Sequence, residues 1–152
     1  MRLLFVCTAV LLALPLGADS KVQLKALAPE SVKPNTRIVH RDKNGRMTGS
    51  TTCSGTRLVH RDSSGRFAGS STVSGNRTIY RDENGHMTGS STVSGNRTVY
   101  RDASGRIVGT SQKSGSSTIY RDKNGRTVNR STVSGNQTVY RDASGRISGT
   151  SR

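Results

Sequence analysis

Two rows of arginine recur along this chain at a spacing of twenty residues. Arg41, Arg61, Arg81, Arg101, Arg121 and Arg141 form the first row; Arg46, Arg66, Arg106, Arg126 and Arg146 form the second, with His86 in the vacant place. A guanidinium group is planar, permanently charged, and carries N–H donors in a fork that matches carboxylate and phosphate oxygens. Repeated in a regular array, such groups become tracks suited to an anionic polymer. A local alternative stands beside that reading. Each first-row Arg is followed at once by Asp42, Asp62, Asp82, Asp102, Asp122 or Asp142, and pairing with that Asp row would neutralise the track.

Other chemistry has little footing. His40 and His60 stand where other repeats carry Tyr80, Tyr100, Tyr120 and Tyr140, and His86 stands in an Arg position, so all three read as variation within a repeat. No His sits in a non-repeated context beside a nucleophile, and one Asp per turn is too sparse for calcium repeats, which concentrate several oxygen ligands in each loop. The expectation is a protein with no catalytic residues, no metal and no cofactor. The Asp row is explained by backbone geometry. Asp102-Ala103-Ser104-Gly105 has Asp at the first and Gly at the fourth position of a type I turn, where the carboxylate accepts backbone N–H groups of its own turn. The same holds for Gly45, Gly65, Gly85, Gly125 and Gly145 with their Asp partners.

These residues belong to a twenty-residue unit that runs 36–55, 56–75, 76–95, 96–115, 116–135 and, shortened, 136–152. Thr98-Val99-Tyr100 has the β-branched and aromatic character of a strand, a second strand begins at Arg106, and Ser94-Gly95-Asn96 makes a second turn. No stretch has the 3.6-residue period of an amphipathic helix. The fold class is therefore all-β: tandem strand–turn–strand repeats forming either a β-hairpin array or a β-solenoid, with hairpins slightly favoured. Counting by parity places Val99, Ile107, Val73 and Val93 on an inner face and Thr98, Tyr100 and Arg106 on an outer one, giving a thin, continuous core. Lys113 at a valine position, and Asn129-Arg130 in place of Gly-Ser or Gly-Thr, mark units four and five as sites for a bulge, a kink or a weak point.

Composition agrees with a repeat. Only 30% of residues are apolar, 4% are aromatic and Trp is absent, which leaves little for an ordinary globular core. The formal charge of +15 gives a surface that attracts polyanions. Residues 1–18 read as a secretory signal peptide, with Arg2 before the apolar run Leu3 to Leu16 and cleavage after residue 18 or 20. The run is short for a membrane span, and no later segment competes with it. Residues 19–35 read as a linker or an N-terminal cap. With Cys7 in the leader, Cys53 has no partner within the mature chain and, standing where Val73, Val93 and Val133 recur, reads as a small buried side chain.

The phrase Tyr-Arg-Asp-x-x-Gly-Arg, as at Tyr80-Arg81-Asp82 and Tyr140-Arg141-Asp142, resembles the YD repeat of Rhs-type bacterial surface and toxin proteins, with an Arg inserted between Tyr and Asp. The hairpin layout is also similar to choline-binding wall repeats, without their tryptophans, and to curlin-type fibre repeats, without their Gln/Asn ladders. The YD resemblance implies a bacterial extracellular β-rich scaffold; the curlin resemblance implies self-assembly. The expected function is a secreted, non-enzymatic repeat protein with a structural or adhesive role at the cell surface or in the extracellular matrix, self-associating through open sheet edges. The alternative is a monomeric basic module for an anionic glycan, lipopolysaccharide or wall polymer. Nucleic acid is disfavoured as a partner, because one Tyr or His per unit offers few stacking platforms.

Overall fold

The structure, a computed structural model, describes residues 36–152; the expected signal peptide and the 19–35 linker or cap lie outside the described residues. Each repeat supplies two strands, and the second turn decides how they meet. Ser54 pairs with Arg57, which leaves Gly55-Thr56 as a two-residue loop entered at φ 58° on Gly55. A loop this short reverses the chain, whereas a parallel return needs a dozen or more residues. The solenoid alternative is thereby corrected: every strand pairing is antiparallel, and like residues of successive repeats do not stack on one another.

Twelve strands follow in order: β1 (Arg37–Asp42), β2 (Met47–Ser54), β3 (Arg57–Asp62), β4 (Phe67–Ser74), β5 (Arg77–Arg81), β6 (Met87–Ser94), β7 (Arg97–Asp102), β8 (Ile107–Ser114), β9 (Ser117–Asp122), β10 (Thr127–Ser134), β11 (Gln137–Asp142) and β12 (Ile147–Ser151). Each pairs with its neighbours in sequence, and β1 pairs with β12 to close a barrel. Closure repeats the register used between hairpins. Thr150 faces Arg41 and Gly149 faces Asp42, as Ser50 faces Arg61 and Gly49 faces Asp62. The wall has no free sheet edge, so the edge-to-edge route to self-association has no template here.

The parity reading is overturned for half of each repeat. Tyr80 faces Ser71 on one side and Gly89 on the other, so an even-numbered residue shares its face with odd-numbered residues of both neighbours. Single-parity counting cannot survive such turns. Tyr100 and Thr98 are buried inside the barrel, whereas Val99 is half-buried on the wall and Ile107 is exposed. Val73 does point inward, packing against Cys53 and Leu58.

The interior is filled by tyrosine and small hydroxyl residues in place of a continuous apolar core. Tyr80, Tyr100, Tyr120 and Tyr140 donate to or accept from the hydroxyls of Ser91, Ser111, Ser131 and Ser151, at 2.9, 3.0, 3.3 and 3.3 Å. A buried phenol needs such a partner. The residue across the strand from the ring is glycine: Tyr100 faces Gly109. An added Cβ on Gly89 would lie 2.4 Å from the Arg101 carbonyl oxygen. Between the first and second units volume is exchanged across a pair: Cys53 faces Leu58 where Val73 faces Thr78, so a smaller residue on one strand offsets a larger one on the next.

Irregular units four and five hold the common register. Lys113 faces Thr118 as Val93 faces Thr98. The shift between Thr127 and Asn129 matches those between Met47 and Gly49 or Ile107 and Gly109, so the expected extra bulge or kink is absent.

The buried hydroxyl pairs predict a measurable coupling. Tyr100→Phe leaves the Ser111 hydroxyl without its partner and is expected to cost about 1–2 kcal/mol in urea unfolding. Tyr100→Phe combined with Ser111→Ala should cost less than the sum of the two single changes. Strict additivity would show that the pair does not interact.

Candidate functional site: an arginine rim

Six Asp-x-x-Gly turns lie at one end of the barrel, because every odd-numbered strand runs toward that end and every even-numbered strand leaves it. In the first, the Gly45 N–H donates to the Asp42 carbonyl at 3.1 Å, the Asp42 N–H donates to the Arg46 carbonyl at 2.9 Å, and Gly45 takes φ 79°. Asp42 Oδ1 then accepts the N–H groups of Asn44 and Arg46 at 2.8 and 2.9 Å. The bond to the residue four places on is present in all six turns, at 2.8 to 3.0 Å. The Asp and Gly rows are therefore the turn elements that the spacing indicated. At Asp142 the Ser144 hydroxyl adds a bond at 2.7 Å, and with the backbone N–H groups it holds the carboxyl below its ordinary range.

With each carboxylate's Oδ1 turned onto its own backbone, the first arginine row forms no salt bridge with it among the described residues. Arg41, Arg61, Arg81, Arg101 and Arg141 donate Nη1 to the carbonyl oxygens of Gly45, Gly65, Gly85, Gly105 and Gly145 at 2.8 to 3.1 Å. That single bond braces each side chain against the turn and leaves its remaining donors facing solvent. Among the described residues, Asp82 is paired with His86 at 3.4 Å, at the one place where the second row lacks arginine. Arg46, Arg66, Arg106, Arg126 and Arg146 are exposed at the same rim, one residue before the next strand begins. The structure thus brings both rows to one end of the barrel. Phe67, Met87, Ile107 and Ile147 are exposed beside them, each facing a first-row Arg across the hairpin.

The far end has the two-residue loops and different chemistry. Arg57, Arg77 and Arg97 stand there, with Asn76, Asn96 and Asn136 in the loops. Three of the four Asn-x-Ser/Thr sequences that begin at these Asn residues therefore lie away from the arginine rim, and the fourth, at Asn129, lies within β10.

Inside the barrel is a feature that repeat spacing did not disclose. His40 Nε2 meets Thr51 Oγ1 at 2.9 Å, Thr51 Oγ1 meets His60 Nδ1 at 3.0 Å, and His60 Nε2 meets Ser71 Oγ at 3.0 Å. His40 and His60 occupy tyrosine positions, as expected, and their ring nitrogens replace the phenol in the hydroxyl pairs. The signal in the sequence was Thr51, which stands where other units carry Ser71, Ser91 or Ser111. Burial lowers the His60 pKa from its ordinary 6.5 to about 4. Burial raises the Tyr100, Tyr120 and Tyr140 hydroxyls in turn, Tyr140 to about 12, so these phenols and the His60 ring are neutral across the physiological range.

No helix among the described residues is long and apolar enough to cross a membrane. The barrel strands run five to eight residues, and their outer positions alternate arginine with β-branched residues, as in Arg97, Val99 and Arg101. A lipid-facing barrel wall needs about 9–11 residues per strand and an apolar outer band.

Two outcomes test this description. The unfolded chain binds a proton at His60 more readily than the folded one, so stability should be level above pH 6.5 and fall as the pH drops toward 4, by about 3 kcal/mol in full. His60→Tyr, which restores the residue of the later units, should flatten that slope in pH-dependent urea melts; an unchanged slope would place the sensitivity elsewhere. Asp122→Ala removes the acceptor of the Asn124 and Arg126 N–H groups and should cost about 1–2 kcal/mol, with Asp122→Asn costing less.

No protein-family model and no curated protein matches the chain, so its function is read from its own geometry.

Proposed function

We propose that this protein is a basic, non-enzymatic binding module for an anionic polymer, either a glycan, a lipopolysaccharide or a wall polymer, working outside the cell after removal of the signal peptide. The observation that carries the reading is the separation of charge within the turns. Among the described residues, each Asp Oδ1 is bonded to its own turn and none is paired with arginine, while both arginine rows converge on one rim, exposed except for half-buried Arg121. A ring of guanidinium groups held on tight turns meets repeated carboxylate, phosphate or sulfate groups without first ordering a flexible loop, which lowers the entropic cost of binding. Exposed Phe67, Met87, Ile107 and Ile147 add apolar contact surface between the charges.

The structural or adhesive role remains compatible with this module, since a surface that holds an acidic polymer also anchors the protein to it. Self-association through open edges has less support than a monomeric barrel, because β1 and β12 are paired.

Retention on heparin-type and lipopolysaccharide resins tests the reading. Wild-type protein should bind both and elute earlier as salt rises, because exposed charges are screened within about 10 Å at 0.1 M salt. Arg66→Gln, Arg106→Gln and Arg126→Gln together should lower the eluting salt concentration at least twofold. The equal charge change at the other end, Arg57→Gln, Arg77→Gln and Arg97→Gln, should leave it nearly unchanged. Equal losses from the two sets would reduce the effect to net charge, and salt-independent retention would remove the electrostatic reading altogether.

A further inference from the structure

The fifth unit departs from the others in a way the rim does not explain. The outward residue facing each first-row Arg between hairpins is Ser50, Ser70, Ser90, Thr110 or Thr150, but in β10 it is Arg130, directly opposite Arg141. Residues so paired have Cβ atoms about 4.5–5.5 Å apart, and like charges there destabilise a sheet. On its other side Arg130 faces Ile119, which sets Arg121 of β9 two residues further along on the same face, a diagonal neighbour. Three guanidinium-bearing strands therefore meet on one patch of the outer wall.

Among the described residues, no carboxylate forms a salt bridge with these three arginines. Asp122 and Asp142 are bound to their own turns, Oδ1 of each accepting two backbone N–H groups. Arg121 is also the exception in its row. It is half-buried, makes no bond to the Gly125 carbonyl, and its Nη1 is enclosed without a hydrogen-bond partner. A buried guanidinium donor left unpaired costs several times what an exposed one does. One oxyanion placed beside the three groups would relieve the repulsion, and a change of the Arg121 rotamer toward it would also satisfy that donor.

We infer that Arg121, Arg130 and Arg141 form a discrete oxyanion site for a single sulfate or phosphate group. The group would be a substituent of the anionic polymer named above, so the biological setting of the site rests on that reading. The occupancy of the site does not. A tetrahedral oxyanion offers acceptors in several directions, enough to take donors from three arginines at once.

The test uses the full chain, thermal unfolding, and inorganic phosphate or sulfate exchanged for chloride at constant ionic strength. Wild-type protein should gain several degrees in unfolding midpoint with a saturable dependence on the ion, as expected for a ligand that binds only the folded state. Arg130→Ser, which restores the residue of the first three hairpin junctions, should abolish that gain while raising the midpoint in chloride, because the like-charge pair is gone. The rim substitutions Arg66→Gln and Arg106→Gln should leave the gain intact. A larger gain with sulfate assigns the site to sulfate esters, and an equal or larger gain with phosphate to phosphate esters; both support it. No gain with either ion in wild type, or a gain retained in Arg130→Ser, overturns the site. Because this readout requires no polymer, loss of resin retention by the rim variants with no effect of phosphate or sulfate would reject the site and keep the module, and the reverse would keep the site and reject the module.

Discussion

The barrel depends on a hydrogen bond between side chains eleven residues apart. Tyr100 to Ser111 is representative: the bond reaches across one Asp-x-x-Gly hairpin and is buried at both ends. A slip of one residue in that hairpin would send the phenol to the outer face and strand the serine hydroxyl inside. The bulge at each of these hairpins, as between Tyr100 and Arg101, supplies the offset that lets tyrosine, glycine and serine face the interior together. Arg101, the next residue after Tyr100, must then face outward. The inward hydroxyl pair and the outward arginine are two results of one register.

That register also accounts for what the linear pattern revealed and what it hid. Local chemistry was legible. The turn at Asp102 to Gly105, the strands on either side, and the loop at Gly95 follow from residues that act within five positions of one another. Facing was hidden, because it depends on how two turns and one bulge combine. Tyr100 looked like an outward residue because Val99 beside it is the more apolar; only pairing with Ser91 and Gly109 shows that the phenol is inside. Closure was hidden as well. Nothing in the composition of β1 distinguishes a strand with a free edge from one bonded to β12, and the contact between Arg41 and Thr150 joins positions more than a hundred residues apart.

The candidate site was legible as a list of residues and illegible as an arrangement. Twenty-residue spacing named both arginine rows, and Asp beside Arg suggested that they cancel. The turn geometry decides otherwise, because each Asp Oδ1 accepts backbone N–H groups of its own turn while the neighbouring arginine donates to the turn glycine's carbonyl. At Asp82, where the second row lacks arginine, Oδ2 meets His86 Nδ1 at 3.4 Å while Oδ1 keeps its turn bonds.

A repeated scaffold of this kind lets function arise from departures, because register is held redundantly by many copies of the same bond. The first two units replace phenol with imidazole and keep the belt through Thr51 and Ser71. The fifth replaces Gly-Ser with Asn129-Arg130 and keeps the pairing of β10 with both neighbours. In each case the scaffold absorbs a substitution that an irregular fold would answer by shifting its backbone. What changes is charge and proton affinity at one place on an otherwise uniform wall. Arg130 is the clearest instance: its backbone follows the repeat, so the repulsion it brings against Arg141 is not relieved by movement of the strand and stays available for an anion to offset.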